Sequence, residues 1–514
     1  MPSYLENFKS LTVLFSIIFI FSAFSRFSDY LGVNIVSFII VSITFIFFFN
    51  NFKANLKNYL LPISLFVLFC VISYYFADFK YNVRDEIFLL LSASGIYLLN
   101  GFLDQGEKKK LLIIPVLIGL WLTIYIFVSF ASASKDFYDR NITEYMNCTT
   151  CFLLLVIPLS FVFWRKENRI YKCMPFIFFI AIIITKSLFA ICIASFIFSI
   201  SFFILGTKIK KSVSAIFALC AITSFYILIK TSFFSDKLLI WKTALTVIRD
   251  NFFLGVGFNN YKSVSLSYGT LENIDILYCN NLFLQVMSEN GIIGFVLFLF
   301  ILSIFFFFVI KKLKLGKDKI TYLFILLAVI SFLFYNFFNS TAFVSTNMLL
   351  FFFLLSFPFP QYLVEKRKKK IDVYIWAILF LLFIFLLGAI LYAHQGYKKG
   401  TSFLAIKNFV QAKACFINAI GYDNLNPQYA GRLSDVYFAQ YHANGNKFFL
   451  ERAIKWSEHA SRLARNDGKY YYQLAWLYHF AKNNKKASEN IILAIEKDPF
   501  NLLYQDACEI LLMM

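Results

Sequence analysis

Long apolar runs alternate with short polar breaks over the first three quarters of the chain. The runs recur at roughly 18–22 residues, the length an α-helix needs to cross about 30 Å of hydrocarbon. They predict spans near 8–24, 31–49, 59–76, 87–104, 111–130, 148–164, 173–185, 187–205, 212–229, 291–310, 321–340, 345–358 and 372–392. The expected fold is all-α: a polytopic helical membrane protein of about 13 spans. The run Leu11 to Phe24 lacks a small-residue cleavage site, so it reads as a first spanning helix.

One polar stretch interrupts this pattern, Thr231 to Asn290. Within it, Leu238, Trp241, Leu245 and Ile248 recur at helical spacing. That spacing predicts a helix lying along the membrane, with Lys237, Lys242 and Arg249 on its polar side. Asp250, Asn251 and the turn Leu254-Gly-Val-Gly257 end it, and the glycines let backbone approach closely. A second helix is expected to begin near Asn281. Asn281, Gln285 and Glu289 fall at i, i+4 and i+8 and so share one face. Gly291 and Gly294 permit tight packing where this helix enters the membrane.

After Tyr392 the runs shorten and all four histidines appear. Leu474, Ala475, Tyr478, Ala487, Ile491, Ala494 and Pro499 fit the tetratricopeptide pattern. Ala453 and Ala460 match a preceding repeat, and Ala412, Phe416 and Ala419 one before that. Ala453 and Ala487 are 34 residues apart, but Ala412 and Ala453 are 41 apart, which predicts an insertion near Tyr441–Asn446. The expected domains are a transmembrane unit, 1–392, holding the large loop 231–290, and a C-terminal α-solenoid, 393–514. A solenoid of this kind binds proteins or peptides.

Composition confirms the membrane class. The chain has 514 residues, is 60% hydrophobic and contains 69 Phe, outside the range of soluble domains. Its net charge of +20 is placed by topology, not for nucleic acid. One alternating set of short loops, including Lys108–Lys110, Lys311–Lys319 and Lys366–Lys370, carries 22 Lys and Arg; the opposite set carries 6. The rich set is expected to face the cytoplasm. The 231–290 loop and the tail then lie outside, in the periplasm, with the chain in the bacterial inner membrane.

Candidate chemistry gathers on that outer side. Arg140 and Asn147 precede a span, and an Arg fork matches phosphate oxygens. Lys186 stands at an outer turn. It either snorkels to the interface or faces the same cavity as the large loop. Glu272, Asp275 and Glu289 supply carboxylates. Cys148 and Cys151 form Cys-Thr-Thr-Cys, which reads as two small residues one helical turn apart. A zinc site would need two more ligands, and no His precedes His394.

These pieces together resemble the O-antigen ligase and O-antigen polymerase superfamily. Lys237-Leu-Leu-Ile-Trp241 followed by Asp250 to Tyr261 (DNFFLGVGFNNY) resembles its basic-residue–x3–Trp stretch and LGVG turn. NNLFLQVMSENGIIG, Asn280 to Gly294, resembles its His-Asn, Leu-Gln, Glu and Gly-Ile-Gly stretch. Arg140 with Asn147 resembles its external Arg and Asn, and Thr185-Lys186-Ser187 its Ser-Arg. The likeness covers roughly 110–360, and a tetratricopeptide tail is a common attachment in the superfamily.

The resemblance implies a glycosyltransferase that takes a glycan from undecaprenyl pyrophosphate. The acceptor would be lipid A core, a growing polysaccharide or a protein hydroxyl, as in lipopolysaccharide biosynthesis, with no cofactor or metal required. Arg140, Lys186, Lys237 and Arg249 would hold the pyrophosphate, with Lys237 also catalytic. Asn280, Asn281 and Glu289 would shape the acceptor side, and the tail would offer a site for a protein partner. Asn280 stands where ligases place His, and Lys237 where Arg is usual. A polymerase or other transferase not using that His, a carboxylate base, or weak catalysis would each fit. A lipid-linked glycan transporter would show internal repeats and polar residues deep in many spans. A non-catalytic envelope scaffold would not need the Lys–Trp and LGVG motifs.

Overall fold

The computed structural model describes residues 37, 39–41, 52–54, 61–77, 80–131, 140–164, 169–206, 208–231, 233–268, 278–316, 318–342, 344–361, 364–366 and 372–512. The expected spans at 8–24 and most of 31–49 lie outside them, as do Glu272 and Asp275.

Helices dominate the described residues. In the apolar part they are α1 (Leu61–Phe76), α2 (Lys80–Leu99), α3 (Gln105–Leu111), α4 (Ile113–Ala131), α5 (Arg140–Val162), α6 (Arg169–Ile184), α7 (Leu188–Leu205) and α8 (Lys208–Ile229). Then follow α9 (Phe233–Asp250), the short α10 (Tyr261–Val264), α11 (Leu282–Leu315), α12 (Lys319–Asn336), α13 (Ser345–Ser356) and α14 (Asp372–Ala405). The all-α expectation has one small exception, an antiparallel ribbon of β1 (Phe52–Ala54) and β2 (Val364–Lys366) that pairs Phe52 with Lys366.

Among the described residues, five helices are long and apolar enough to cross a membrane: 105–131, 188–205, 211–229, 282–315 and 319–336. Apolar helices too short for that count lie at 63–74, 146–162 and 345–356. Large apolar side chains point outward, among them Phe76, Phe203, Ile222 and Phe307. In water such a surface would aggregate; in a bilayer it is the contact with lipid tails. The centre is packed differently. Every residue of α13 is buried, as expected of a helix apolar all round. Phe332 of α12 stacks on Phe351 of α13 at 4.3 Å between ring centroids. Phe161 of α5 stacks on Phe324 of α12 at 5.7 Å.

The loops separate into two ends, set apart by helices such as α2, whose 20 residues span about 30 Å. At one end Lys108 donates to the Phe359 carbonyl at 3.0 Å, and Lys109 pairs with Asp318 at 3.0 Å. Tyr322 donates to Gln105, and Gln361 to the Phe102 carbonyl. The other end holds the start of α2, the Thr185–Ser187 turn, the polar stretch and the tail.

The tail is a run of paired helices: the end of α14 with α15 (Phe409–Tyr422), α16 (Pro427–Asn444) with α17 (Lys447–Leu463), and α18 (Gly468–Phe480) with α19 (Asn484–Lys497), followed by α20 (Leu502–Leu512). Asn408, Asn426, Asn446, Asp467 and Asn483 each cap a helix start by accepting a backbone N–H. The small residues Ala412, Ala419, Ala453, Ala460, Ala487 and Ala494 are buried where helices meet. The extra residues expected near Tyr441–Asn446 fall at the end of α16, which has 18 residues against 13 for α18.

Candidate active site

The site end is built on α9 and the first turns of α11. In α9 the packed face is Ile240, Ala244, Val247 and Ile248, set against Tyr261, Cys279 and Leu284. Leu238 and Leu245, read from the spacing as part of the stripe of a helix lying along the membrane, are 60% and 56% exposed. Two apolar stripes therefore share one helix, one for protein and one for its exposed side. That exposed stripe, with Phe252 and Phe253, suits a helix lying in a membrane interface.

The glycines explain the next step. After α9 the chain turns, Gly255 donating to the Asn251 carbonyl at 2.9 Å. Val256 then donates to the Ser288 carbonyl and Gly257 to the Glu289 carbonyl, both at 2.9 Å, while Ile292 donates to the Phe252 carbonyl at 2.8 Å. Two backbones are thus joined directly. Gly255 and Gly291 both have positive φ, +69° and +60°. A Cβ on Gly255 would run into the backbone of Glu289 and Asn290, and one on Gly291 into that of Phe253 and Leu254. Only glycine meets both demands. Gly291 also breaks the helical backbone inside α11, so the polar turns before it and the apolar span after it are separate pieces.

Glu289 lies inside this joint and is 2% exposed. Gln285 donates to it at 2.7 Å, which places these side chains on the shared face read from the spacing. The backbone N–H groups of Asn259 and Tyr261 face the same carboxylate, and Lys262 is the nearby cation. Gln285 also accepts from the Cys279 N–H at 2.8 Å. Asn281 is the N-cap of α11, accepting from Phe283 and Leu284 at 2.9 and 3.1 Å. Asn280, half-buried before it, has φ +48°, a conformation Asn tolerates. Asn290 Nδ2, Asn260 Oδ1 and Thr243 Oγ1 are buried without a hydrogen-bond partner among the described residues. Such atoms call for water or a ligand.

The basic residues sort into two groups. Phe189 packs on Phe233 at 5.5 Å and on Phe338 at 5.0 Å, and Trp241 stacks on Phe338 at 5.6 Å. This aromatic cluster joins α7, α9 and the end of α12. Lys237 Nζ sits 5.6 Å from the Phe233 ring centre. Lys186, exposed and with φ +55°, lies in the turn three residues before Phe189. Tyr335 packs on Phe189 and donates to the Asn147 carbonyl at 3.4 Å, which brings α5 to the same cluster. Arg140 starts α5 two turns before Asn147; its side chain lies outside the described residues. Arg249 stands apart, about 18 Å along α9 from Lys237. It is exposed and paired with Asp250 at 3.0 Å. Cys148 and Cys151 are buried thiols: Asn347 donates to the Cys148 carbonyl and Asn336 to Cys151 Sγ.

Residues 149–299 match the family model described as O-antigen ligase. The match supports the O-antigen ligase superfamily for that stretch. It takes in the Lys186 turn, α9, the glycine joint and Glu289, and begins just after Arg140 and Asn147. The family assignment supports a ligase- or polymerase-type function for a membrane protein. No curated protein matches the chain. Among solved structures, "First TPR of Spaghetti (RPAP3) bound to HSP90 peptide SRMEEVD" aligns at 16% identity over 24% of this chain and 93% of that chain, with a TM-score of 0.22. A score that low carries no argument about the tail.

The sequence reading of the matched stretch missed Tyr261, Cys279, Ser288 and Asn290, all buried around Glu289. Tyr261 ends the quoted DNFFLGVGFNNY segment and could have been marked. Cys279 carries no signal in a single sequence.

Proposed function

We propose that the chain moves a glycan from undecaprenyl pyrophosphate to an acceptor at the periplasmic face of the bacterial inner membrane. The observation that carries this reading is a coincidence of place. The O-antigen ligase match covers Lys186, Lys237 and the glycine joint, and the aromatic cluster that Lys186 and Lys237 border also reaches Asn147, just before the matched stretch. In this reading Arg140, Lys186 and Lys237 hold the pyrophosphate. Its departure leaves negative charge, and fixed cations beside it lower the barrier. They also orient the donor. Arg249 has the smaller part, because Asp250 occupies it. Asn280, Asn281 and Glu289 shape the acceptor side. The acceptor is lipid A core, a growing polysaccharide or a protein hydroxyl.

The remaining assignments rest on the run lengths, the loop charges and the repeat pattern. The end with Lys108 and Lys319 faces the cytoplasm, the chain crosses about 13 times, and residues 393–514 form a periplasmic tetratricopeptide solenoid. Reporter fusions near Gly257 and Pro499 are expected outside, and those at 311–319 and 365–370 inside.

The functional test is a deletion strain. Shortened or unligated surface glycan, with lipid-linked precursor accumulating, is the expected result. Normal surface glycan and normal protein glycosylation, with no precursor accumulating, would refute the proposal.

A further inference from the structure

The inner face of the tail is already filled by the chain itself. Val264 and Tyr268, with Val256 and Tyr81 beside them, pack against Ala430, Ala460, Ala464 and Tyr470. The three alanines leave room for that approach. Arg84, at the start of α2, grips Asp423, which follows α15, through two hydrogen bonds of 2.7 and 3.1 Å. The two side chains are 12% and 2% exposed, so this is a buried, forked ion pair 339 residues apart in sequence. Next to it, Asn82 donates to Ser263 at 3.1 Å and accepts from Asn259 Nδ2 at 3.3 Å.

A physical path follows from these contacts. The tail holds Val264 and Tyr268; the same segment begins with Tyr261; and the N–H groups of Asn259 and Tyr261 face Glu289. We propose that the inner face of the tail is a receptor for the chain's own Tyr261–Tyr268 segment, locked by Arg84 and Asp423, which act as positioning residues for Glu289. The occupant is this segment because it is seated there and the ion pair closes beside it. A fork of two buried charges is specific: removing either takes the countercharge from the other in a dry place. The tail is then part of the site's frame, not an appendage hung from the last span. The catalytic consequence rests on the proposed glycan transfer; the docking does not.

The test uses the full chain in native membranes. Val264→Cys paired with Ala464→Cys, both in the cluster that joins the segment to the tail, should be joined by a short thiol-reactive crosslinker, mapped by mass spectrometry because native cysteines remain. Asp423→Ala should lower the crosslink yield. In reconstituted transfer, Asp423→Ala and Arg84→Ala should lose on the order of 100-fold in kcat, the scale of a reacting group displaced by about 1 Å, with KM for the lipid-linked donor little changed. Arg84→Asp combined with Asp423→Arg should restore both the crosslink and kcat, which a general loss of folding would not allow. No crosslink, a crosslink unaffected by Asp423→Ala, or an unchanged kcat in that variant would overturn the proposal. A crosslink that forms in a protein with no transfer activity would sustain the docking and refute the proposed function instead.

Discussion

The two ends of the helical bundle use charge in opposite ways. At the basic end, cations are consumed by the fold: Lys108 is buried on the Phe359 carbonyl and Lys109 meets Asp318. At the site end, Lys237 lies over an aromatic ring and Lys186 on an exposed turn, while a carboxylate, Glu289, is enclosed by amides. The count of charges favours the first end; their arrangement favours the second. A raw total of Lys and Arg therefore bears on the expected orientation in a membrane and not on chemistry. At the site end it is the arrangement, cations beside an aromatic cluster and a carboxylate among buried amides, that bears on chemistry.

The largest way to break the site end is to widen the glycine joint. Gly255→Val and Gly291→Val each demand a β-branched residue at positive φ and push a side chain into backbone. Strain of this kind alone costs about 1–3 kcal/mol, and the collision adds to it. Both variants should fail to accumulate in membranes, whereas Gly316→Val at the basic end, with open space around it, should cost only the strain. Membrane-fraction immunoblots compare the three. A smaller effect is expected from Glu289→Gln. It keeps the shape but turns an acceptor atom into a donor facing N–H groups, at about 1–3 kcal/mol for a buried mismatch. Thermal unfolding in detergent should show the lower midpoint. The smallest effect is expected for Arg249→Ala, exposed and paired only with its neighbour; it should change stability by less than about 0.5 kcal/mol in the same experiment.

Much of this architecture was legible because periodicity and length act locally. The run at 187–205 became α7 at Leu188–Leu205, and the run at 321–340 became α12 at Lys319–Asn336. Asn281 was placed at the start of a helix, and the face shared by Gln285 and Glu289 is where the spacing put it. The failures came from long-range contacts. The second stripe of α9, Ala244 and Val247 packed against Tyr261 and Cys279, went unread, because one sequence cannot tell a stripe that meets protein from one that meets lipid. The glycine turn reads as letting backbone approach closely, but the sequence does not say that what approaches Gly255 is the chain's own backbone at Glu289. Nothing in the local sequence of Arg84 or Asp423 announces a partner on the far side of the chain.

The direct test of the contrast between the ends is glycan transfer by purified protein in liposomes, with an undecaprenyl-pyrophosphate-linked donor. Lys237→Ala, Lys237→Arg and Lys319→Ala are measured side by side. Loss of a well-placed transition-state donor costs about 2.7–4 kcal/mol, or roughly 100- to 1000-fold in rate. Lys237→Ala should fall by that factor, Lys237→Arg should retain activity, and Lys319→Ala, at the basic end, should match the unaltered protein. Full activity in Lys237→Ala, or an equal fall in Lys319→Ala, would contradict the assignment of chemistry to one end of the bundle.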